Sequence, residues 1–209
     1  MAALLVLFGA CERSPTRVVD DLPTAIAVDA AHALIKSGDV GTTEKQPATY
    51  VFVDVKNGSD KDRIVAVDAK LLDASGKELA QLHWDEMRVP RQAIRTFALV
   101  SSTPVPAATQ ASYRVVRAAA VDHPAEVEVE EPAFGKQGNA YIAGGYLRNH
   151  EKREASAVAA ATFYAADGKI LARPFTLVKV PAGKRWPVRF EGPPDAAEAA
   201  LFVGEVIFN

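Results

Sequence analysis

Residues 50–72 read YVFVDVKNGSDKDRIVAVDAKLL, and their pattern predicts the fold class of the chain. Apolar and polar residues alternate in two runs, Tyr50–Lys56 and Ile64–Leu72. A period of two is typical of β-strands that bury one face. The segment Asn57-Gly58-Ser59 between the runs, and Asp73 to Gly76 after them, have the composition of turns. The stretch therefore predicts antiparallel strands and an all-β protein.

The same pattern recurs about 92 residues later. The matching pairs are Asn57 with Asn149, Gly76 with Gly168, and Val89-Pro90 with Val180-Pro181. Upstream, KQPATYV from Lys45 matches KQGNAYI from Lys136 at an offset of 91. The extra residue is expected at Gly144-Gly145, where a strand bulge would absorb it. Matches in the same order at nearly one offset predict an internal duplication.

The duplication predicts two tandem domains with one topology. We place the first at residues 28–122 and the second at 123–209, with a tether at 12–27 and a signal at 1–11. Six or seven short strands per domain, separated by turns, fit an immunoglobulin-like β-sandwich. The chain has a single cysteine, so an intrachain disulfide is excluded.

One face of each predicted strand should form a core. In the first domain these residues are Val51, Val53, Val55, Val65, Val67, Ala69 and Leu71. Ala157, Ala159, Ala161 and Phe163 occupy the matching positions of the second domain. Alanine favours helices, but the repeat indicates that this alanine-rich segment is a strand.

The first eleven residues are typical of an export signal. Ala2–Ala10 are mostly apolar, and the run is too short for a bilayer, which needs about 20 residues. Phe8-Gly9-Ala10-Cys11 resembles the lipobox of bacterial lipoproteins. The resemblance implies that Cys11 carries the lipid, and Glu12 in place of aspartate implies the outer membrane if the cell is Gram-negative. The alternatives are an N-terminal strand with a core cysteine, or a plain cleaved signal.

A second resemblance rests on turn and core residues of both repeats. They are Asn57, Leu71-Leu72-Asp73 and Gly76 in the first, and Asn149, Phe163-Tyr164 and Gly168 in the second. The pattern resembles the FxLYD-type sandwich domains of prokaryotic surface proteins. That resemblance implies β-sandwich domains and brings no catalytic activity.

Charge composition bears on the class of partner. The formal net charge is −2 over 209 residues, and lysine and arginine are scattered singly. A nucleic-acid-binding protein normally carries a basic stripe or patch. We therefore expect no DNA or RNA partner.

Candidate catalytic and metal-binding residues are few. The four histidines, which lack metal-ligand spacing, are His32, His83, His123 and His150. The cluster His83-Trp84-Asp85-Glu86 would alternate between the two faces of a strand, so its polar groups are not expected to converge. The run Glu126, Glu128, Glu130 and Glu131 is interpreted as a charged edge strand, with a calcium site as the alternative. We predict no catalytic residue, metal or cofactor.

These observations favour a non-enzymatic, membrane-tethered binding or structural module of the bacterial cell envelope, with a protein or a glycan as its partner. The second hypothesis is an accessory or assembly subunit of an envelope complex or enzyme. The third is a catalytic or metal-handling domain. Convergent carboxylates or histidines in a cavity would favour the third.

Overall fold

The computed structural model describes residues 25–40 and 46–208, without the side chains at positions 39, 40, 83 and 84. Cys11 and the predicted signal lie outside the described residues. Within these ranges the chain is built of strands and no helix is long and apolar enough to cross a membrane. The strands are β1 (Ile26–Val40), β2 (Gln46–Asn57), β3 (Asp62–Leu72), β4 (Glu78–Val89), β5 (Ala93–Ser101), β6 (Gln110–Val121), β7 (Val127–Gln137), β8 (Ala140–Asn149), β9 (Ala155–Tyr164), β10 (Ile170–Ala172), β11 (Phe175–Val180), β12 (Arg185–Gly192) and β13 (Glu198–Phe208).

The strands form four antiparallel sheets that pair into two sandwiches. Sheet A has the order β1-β2-β5 and sheet B the order β4-β3-β6. Sheet C has the order β12-β8-β7, and in sheet D the central β9 pairs with β13 on one side and with β10 and β11 on the other. The predicted all-β tandem sandwich is thereby confirmed. A loop at 122–126 joins the sandwiches, and β1 begins two residues inside the predicted tether. The domain boundaries stay a prediction.

Both sandwiches have one topology. Sheet C repeats the order of sheet A, and sheet D repeats that of sheet B with β10 and β11 in place of β4. Gly76 and Gly168 occupy matching turns with φ angles of 83° and 85°. The backbone N–H of each glycine donates to the carbonyl oxygen three residues earlier, at a distance of 3.0 Å. Positive φ is adopted most easily by glycine, which explains why the G-K pair marks the repeat.

Two buried asparagines brace the same loop in each sandwich. Asn57 and Asn149 have no solvent exposure. Each side-chain Nδ2 donates to two backbone carbonyls at 2.8–3.0 Å, those of Lys61 and Val89 for Asn57, and of Arg153 and Val180 for Asn149. Each Oδ1 accepts the backbone N–H two residues later. An asparagine at these positions therefore fixes the loop after the second strand of each repeat.

The prediction that an extra residue lies at Gly144-Gly145 is wrong. β8 pairs with β12 without a register shift, so the offset of 92 holds along all of β8. The irregularity lies on the neighbouring β7, between Glu130 and Ala133. A Cβ on Gly145 would come within 3.1 Å of the Glu130 carbonyl oxygen, so glycine admits the displaced backbone of the neighbouring strand.

The first strand of each sandwich bulges at the same place, by different amounts. Residues 131–132 of β7 face a single residue of β8. At the matching point of β1, residues 30–33 face the single residue Val53 of β2. The longer bulge on β1 carries His32 away from the ladder.

The predicted core faces are confirmed. Val51, Val53 and Val55 are fully buried, as are Ala157, Ala159 and Phe163. One feature was not expected: Ala160 and Phe202 of the second sandwich belong to the hydrophobic cluster of the first. The two sandwiches therefore share apolar contacts.

Candidate functional site

The outer face of sheet A packs on the outer face of sheet D. Asp54 alternates with the inward-facing valines of β2 and pairs with Thr96 across the sheet. On the opposing sheet, Thr162 and Tyr164 alternate with the inward-facing Phe163 of β9. Side chains that point away from each core therefore meet between the sandwiches.

A chain of hydroxyl groups crosses this contact. Thr162 Oγ1 donates to Thr96 Oγ1 at 2.8 Å, and Thr96 Oγ1 donates to Asp54 Oδ1 at 2.5 Å. Tyr164 OH donates to the same carboxylate oxygen at 3.2 Å. Both threonines are buried. Among the described residues, every buried side-chain nitrogen and oxygen has a partner. A fully satisfied polar network of this kind favours one fixed packing arrangement.

Arg173 completes the contact from the loop between β10 and β11. Its side chain is only 9% exposed, and Nε donates to the Thr96 carbonyl oxygen at 2.8 Å. The guanidinium carbon lies 5.4 Å from the centre of the Phe202 ring and 6.0 Å from that of Phe52. Burial lowers the pKa of Arg173, and the charge of Asp85 opposes that shift. We call Asp54, Thr96, Thr162, Tyr164 and Arg173 the interdomain clamp.

The β1 bulge adds a second contact between the sandwiches, beside the clamp. His32 Nδ1 lies 2.7 Å from Asp29 Oδ2, and this hydrogen bond is the main cause of the lowered pKa of Asp29. Asp29 stands directly across from Asp54 in the sheet. The His32 ring abuts the turn of the second sandwich, because a Cβ on Gly168 would lie 3.7 Å from it. The bulge thus reaches from the first sandwich to the second.

Burial raises the pKa of the Asp54 carboxyl, and the hydrogen bonds from Thr96 and Tyr164 oppose this shift. A carboxyl with a raised folded-state pKa stabilises the fold while it is protonated. That contribution is present below the unfolded-state pKa of 3.8 and is lost as the pH rises through the folded-state pKa.

We therefore expect Asp54→Asn to raise the melting temperature at pH 7, because the amide oxygen can accept the same two hydrogen bonds without a buried charge. The gain should shrink below pH 4, where the wild-type carboxyl is protonated. Thermal unfolding of both proteins from pH 3 to pH 8 tests this. A lower melting temperature for the variant at pH 7 would show that the ionised carboxylate stabilises the contact.

The cluster at residues 83–86 has two described side chains, those of Asp85 and Glu86, and these two do not converge. It lies in β4, and the side chains of His83 and Trp84 are outside the described part of the chain. Asp85 Oδ2 accepts the backbone N–H of Ala98 at 3.0 Å. Glu86 pairs with Arg117 at 3.0 Å. The two carboxylates thus serve different partners. A register shift places residues 83 and 84 together opposite Asp68, so the predicted regular alternation is interrupted within the cluster.

Three residues of the acidic run, Glu128, Glu130 and Glu131, lie on β7, which is an edge strand of sheet C as predicted, and Glu126 lies in the loop before it. Glu128 pairs with His150 at 2.7 Å, while Glu130 and Glu131 pair with Arg185 at 3.1 and 2.8 Å. A shallow groove of about 580 Å³ lies beside the loop between the sandwiches, and its ionisable lining residues are His123, Glu126, Glu128, His150 and Glu151. No three metal-ligating side chains are arranged to hold an ion within the described ranges.

The sequence carries a signal for the clamp, although this signal is not a catalytic or metal-binding motif. Asp68 and Lys70 face outward in sheet B and are charged, whereas the matching residues of sheet D, Ala160 and Thr162, are not. Asp68 pairs with Arg114 in sheet B, and the corresponding pair in sheet D is Ala160 with Phe202. A loss of charge at outward positions in one repeat indicates that something covers that face.

Comparison with known proteins adds little. No family model matches the chain, and no curated protein matches it. Among solved structures, the N-terminal CBM22-1–CBM22-2 tandem domain of Paenibacillus barcinonensis Xyn10C aligns with 86% of this chain and 85% of its own, at 6% identity and a TM-score of 0.17. A TM-score this low carries no argument about fold or ligand. The resemblances to lipoproteins and to FxLYD-type domains stay predictions.

Proposed function

We propose that this protein is a non-enzymatic binding or structural module of the bacterial cell envelope, held at the membrane by a lipid on Cys11. The observation that carries the proposal is the role of the buried ionisable groups. Buried groups with shifted pKa values often mark active sites. Here Asp54, Tyr164 and Arg173 instead join one sandwich to the other.

The clamp also supports a module that presents its surfaces at a fixed relative angle. Two sandwiches joined only by a short loop would move independently, and binding would then incur the entropic cost of ordering them. Because the clamp orders them in advance, a protein or glycan that touches both sandwiches would bind without that loss.

Sheet C offers an outer face suited to such contacts. Tyr146 is exposed at its centre, and the Arg185 guanidinium lies 4.1 Å from the centre of the tyrosine ring. Pro187 pairs with Tyr146 on the neighbouring strand. Tyrosine and arginine are enriched where proteins recognise partners, so we propose this face as a contact surface.

The anchor is tested by Cys11→Ser. Two or more acyl chains anchor a protein stably, since each buried CH₂ contributes about 0.8 kcal/mol. We expect the wild-type protein in the membrane fraction with metabolic fatty-acid label, and the variant without label and released from the membrane. Ser14→Ala is the control, because it changes a nearby residue and keeps the thiol. A labelled variant, or an unlabelled wild type, would overturn the lipid anchor.

A further inference from the structure

Sheet D has an outer face that the first sandwich covers only in part. On either side of Ala160, Phe202 of β13 is fully buried whereas Phe175 of β11 is 45% exposed. Beyond Phe175 the uncovered surface continues with apolar side chains. We call it the β11 patch, and it consists of Val158, Phe175, Leu177 and Ile207.

The duplication shows that these apolar residues are not required by the fold. Leu177 pairs with Val158, and the matching pair in the first sandwich is Glu86 with Ala66. Glu86 is ion-paired with Arg117, whereas Leu177 is 64% exposed to solvent. At Phe202 an apolar residue likewise replaces a charged one, and there the first sandwich buries the apolar side chain. The β11 patch continues that interface outward and has no cover within the described chain.

β11 is also an edge strand. Within the described ranges it pairs with β9 alone, so its other edge is open to a further strand. Edge strands are commonly guarded by charge or by proline. The outward side chains of β11 are Phe175, Leu177 and Lys179, of which only the last is charged.

We propose that β11 pairs with β11 of a second copy of this chain, antiparallel and centred on Leu177. In that register Leu177 faces Leu177 of the other copy, and Phe175 faces Lys179. Directly opposed side chains are the units that stabilise an antiparallel pair. Apolar groups then meet apolar groups, and the lysine ammonium lies next to an aromatic ring instead of another cation.

The expected dimer is reversible. Stable interfaces bury about 800 Å² on each partner, and one short strand with two outward apolar side chains, Phe175 and Leu177, provides less. The dimer should therefore dissociate on dilution. The inference does not depend on the lipid anchor, because β11 and the N-terminus are separate parts of the chain.

A cysteine cross-link tests the register. In the full chain carrying Cys11→Ser, Leu177→Cys supplies the only thiol, and symmetric pairing places it opposite its own copy. Glu86→Cys in the same background is the matched control, because it occupies the equivalent position of the first sandwich. After mild oxidation with diamide, we expect at least ten times more disulfide dimer from position 177 than from position 86. Equal yields at the two positions would overturn the proposal.

Sedimentation velocity tests the dimer without a cross-link. The full chain with Cys11→Ser should shift from monomer to dimer as its concentration rises, and the added substitution Leu177→Glu should abolish the shift. Leu177→Glu introduces the residue that the first sandwich carries, at an exposed position, so an unchanged melting temperature will show that it folds. A protein that stays monomeric at every concentration, or a dimer that survives Leu177→Glu, would refute pairing through β11.

Discussion

Gly192→Ala is expected to destabilise the second sandwich by about 3 kcal/mol or more, because it overfills a packed core. A Cβ at position 192 would lie 2.2 Å from the ring of Phe163. That ring has no solvent exposure and cannot move without displacing its neighbours. Urea unfolding of the full chain, followed by tryptophan fluorescence and circular dichroism, measures the loss.

The first sandwich suggests the compensating change. It carries Leu71 and Ser101 at the positions of Phe163 and Gly192. In the first sandwich the core side chain is therefore smaller than in the second, and the residue that faces it is larger. Gly192→Ser should therefore be strongly destabilising alone and much less so with Phe163→Leu. Additive effects of the two substitutions in a double-mutant cycle would contradict direct contact between these positions.

Asn149→Ala is expected to cost about 3 kcal/mol, because it removes the side-chain partner of one buried carbonyl oxygen, one partly buried carbonyl oxygen and one backbone N–H. The carbonyls belong to Arg153 and Val180, and the N–H belongs to Glu151. Asn149→Asp should be no better, since a carboxylate keeps the acceptor and removes both donors. Chemical unfolding of each variant provides the measurement.

The control for this prediction is Glu151→Ala, which keeps the backbone N–H that Asn149 accepts and removes an exposed side chain. Its stability should stay within about 0.5 kcal/mol of the wild type. Asn57→Ala in the first sandwich should match Asn149→Ala, because the same hydrogen bonds are lost. If the Asn149→Ala protein is as stable as the control, the side-chain hydrogen bonds of Asn149 do not stabilise the loop.

The sequence was sufficient for the architecture because each repeat alternates with a strict period of two. Val51, Val53 and Val55 defined an inner face, and the structure buries all three. The sequence was misleading about the offset between the two repeats. It suggested that Tyr50 corresponds to Tyr141, but these residues occupy different register positions. In the ladder, Thr49 and Tyr141 correspond.

The interdomain clamp could not be predicted by alternation alone. A period of two assigns Asp54 and Thr162 to an outer face, and an outer face is normally solvated. Whether a second domain covers that face depends on how the two sandwiches dock, which no short motif encodes. The comparison of repeats holds the missing information, because Ala160 and Phe202, which lie against the first sandwich, replace the charged Asp68 and Arg114.

The position of Phe202 in the chain has a consequence for biogenesis. This side chain belongs to the hydrophobic cluster of the first sandwich, yet it lies on β13, which follows every strand of the first sandwich along the chain. Synthesis proceeds from the N-terminus, so the first sandwich emerges while part of its apolar surface still lacks a partner. Until the last strand arrives, that surface is open to chaperones and to other nascent chains. Nonsense mutations that remove β13 should therefore damage the first sandwich as well.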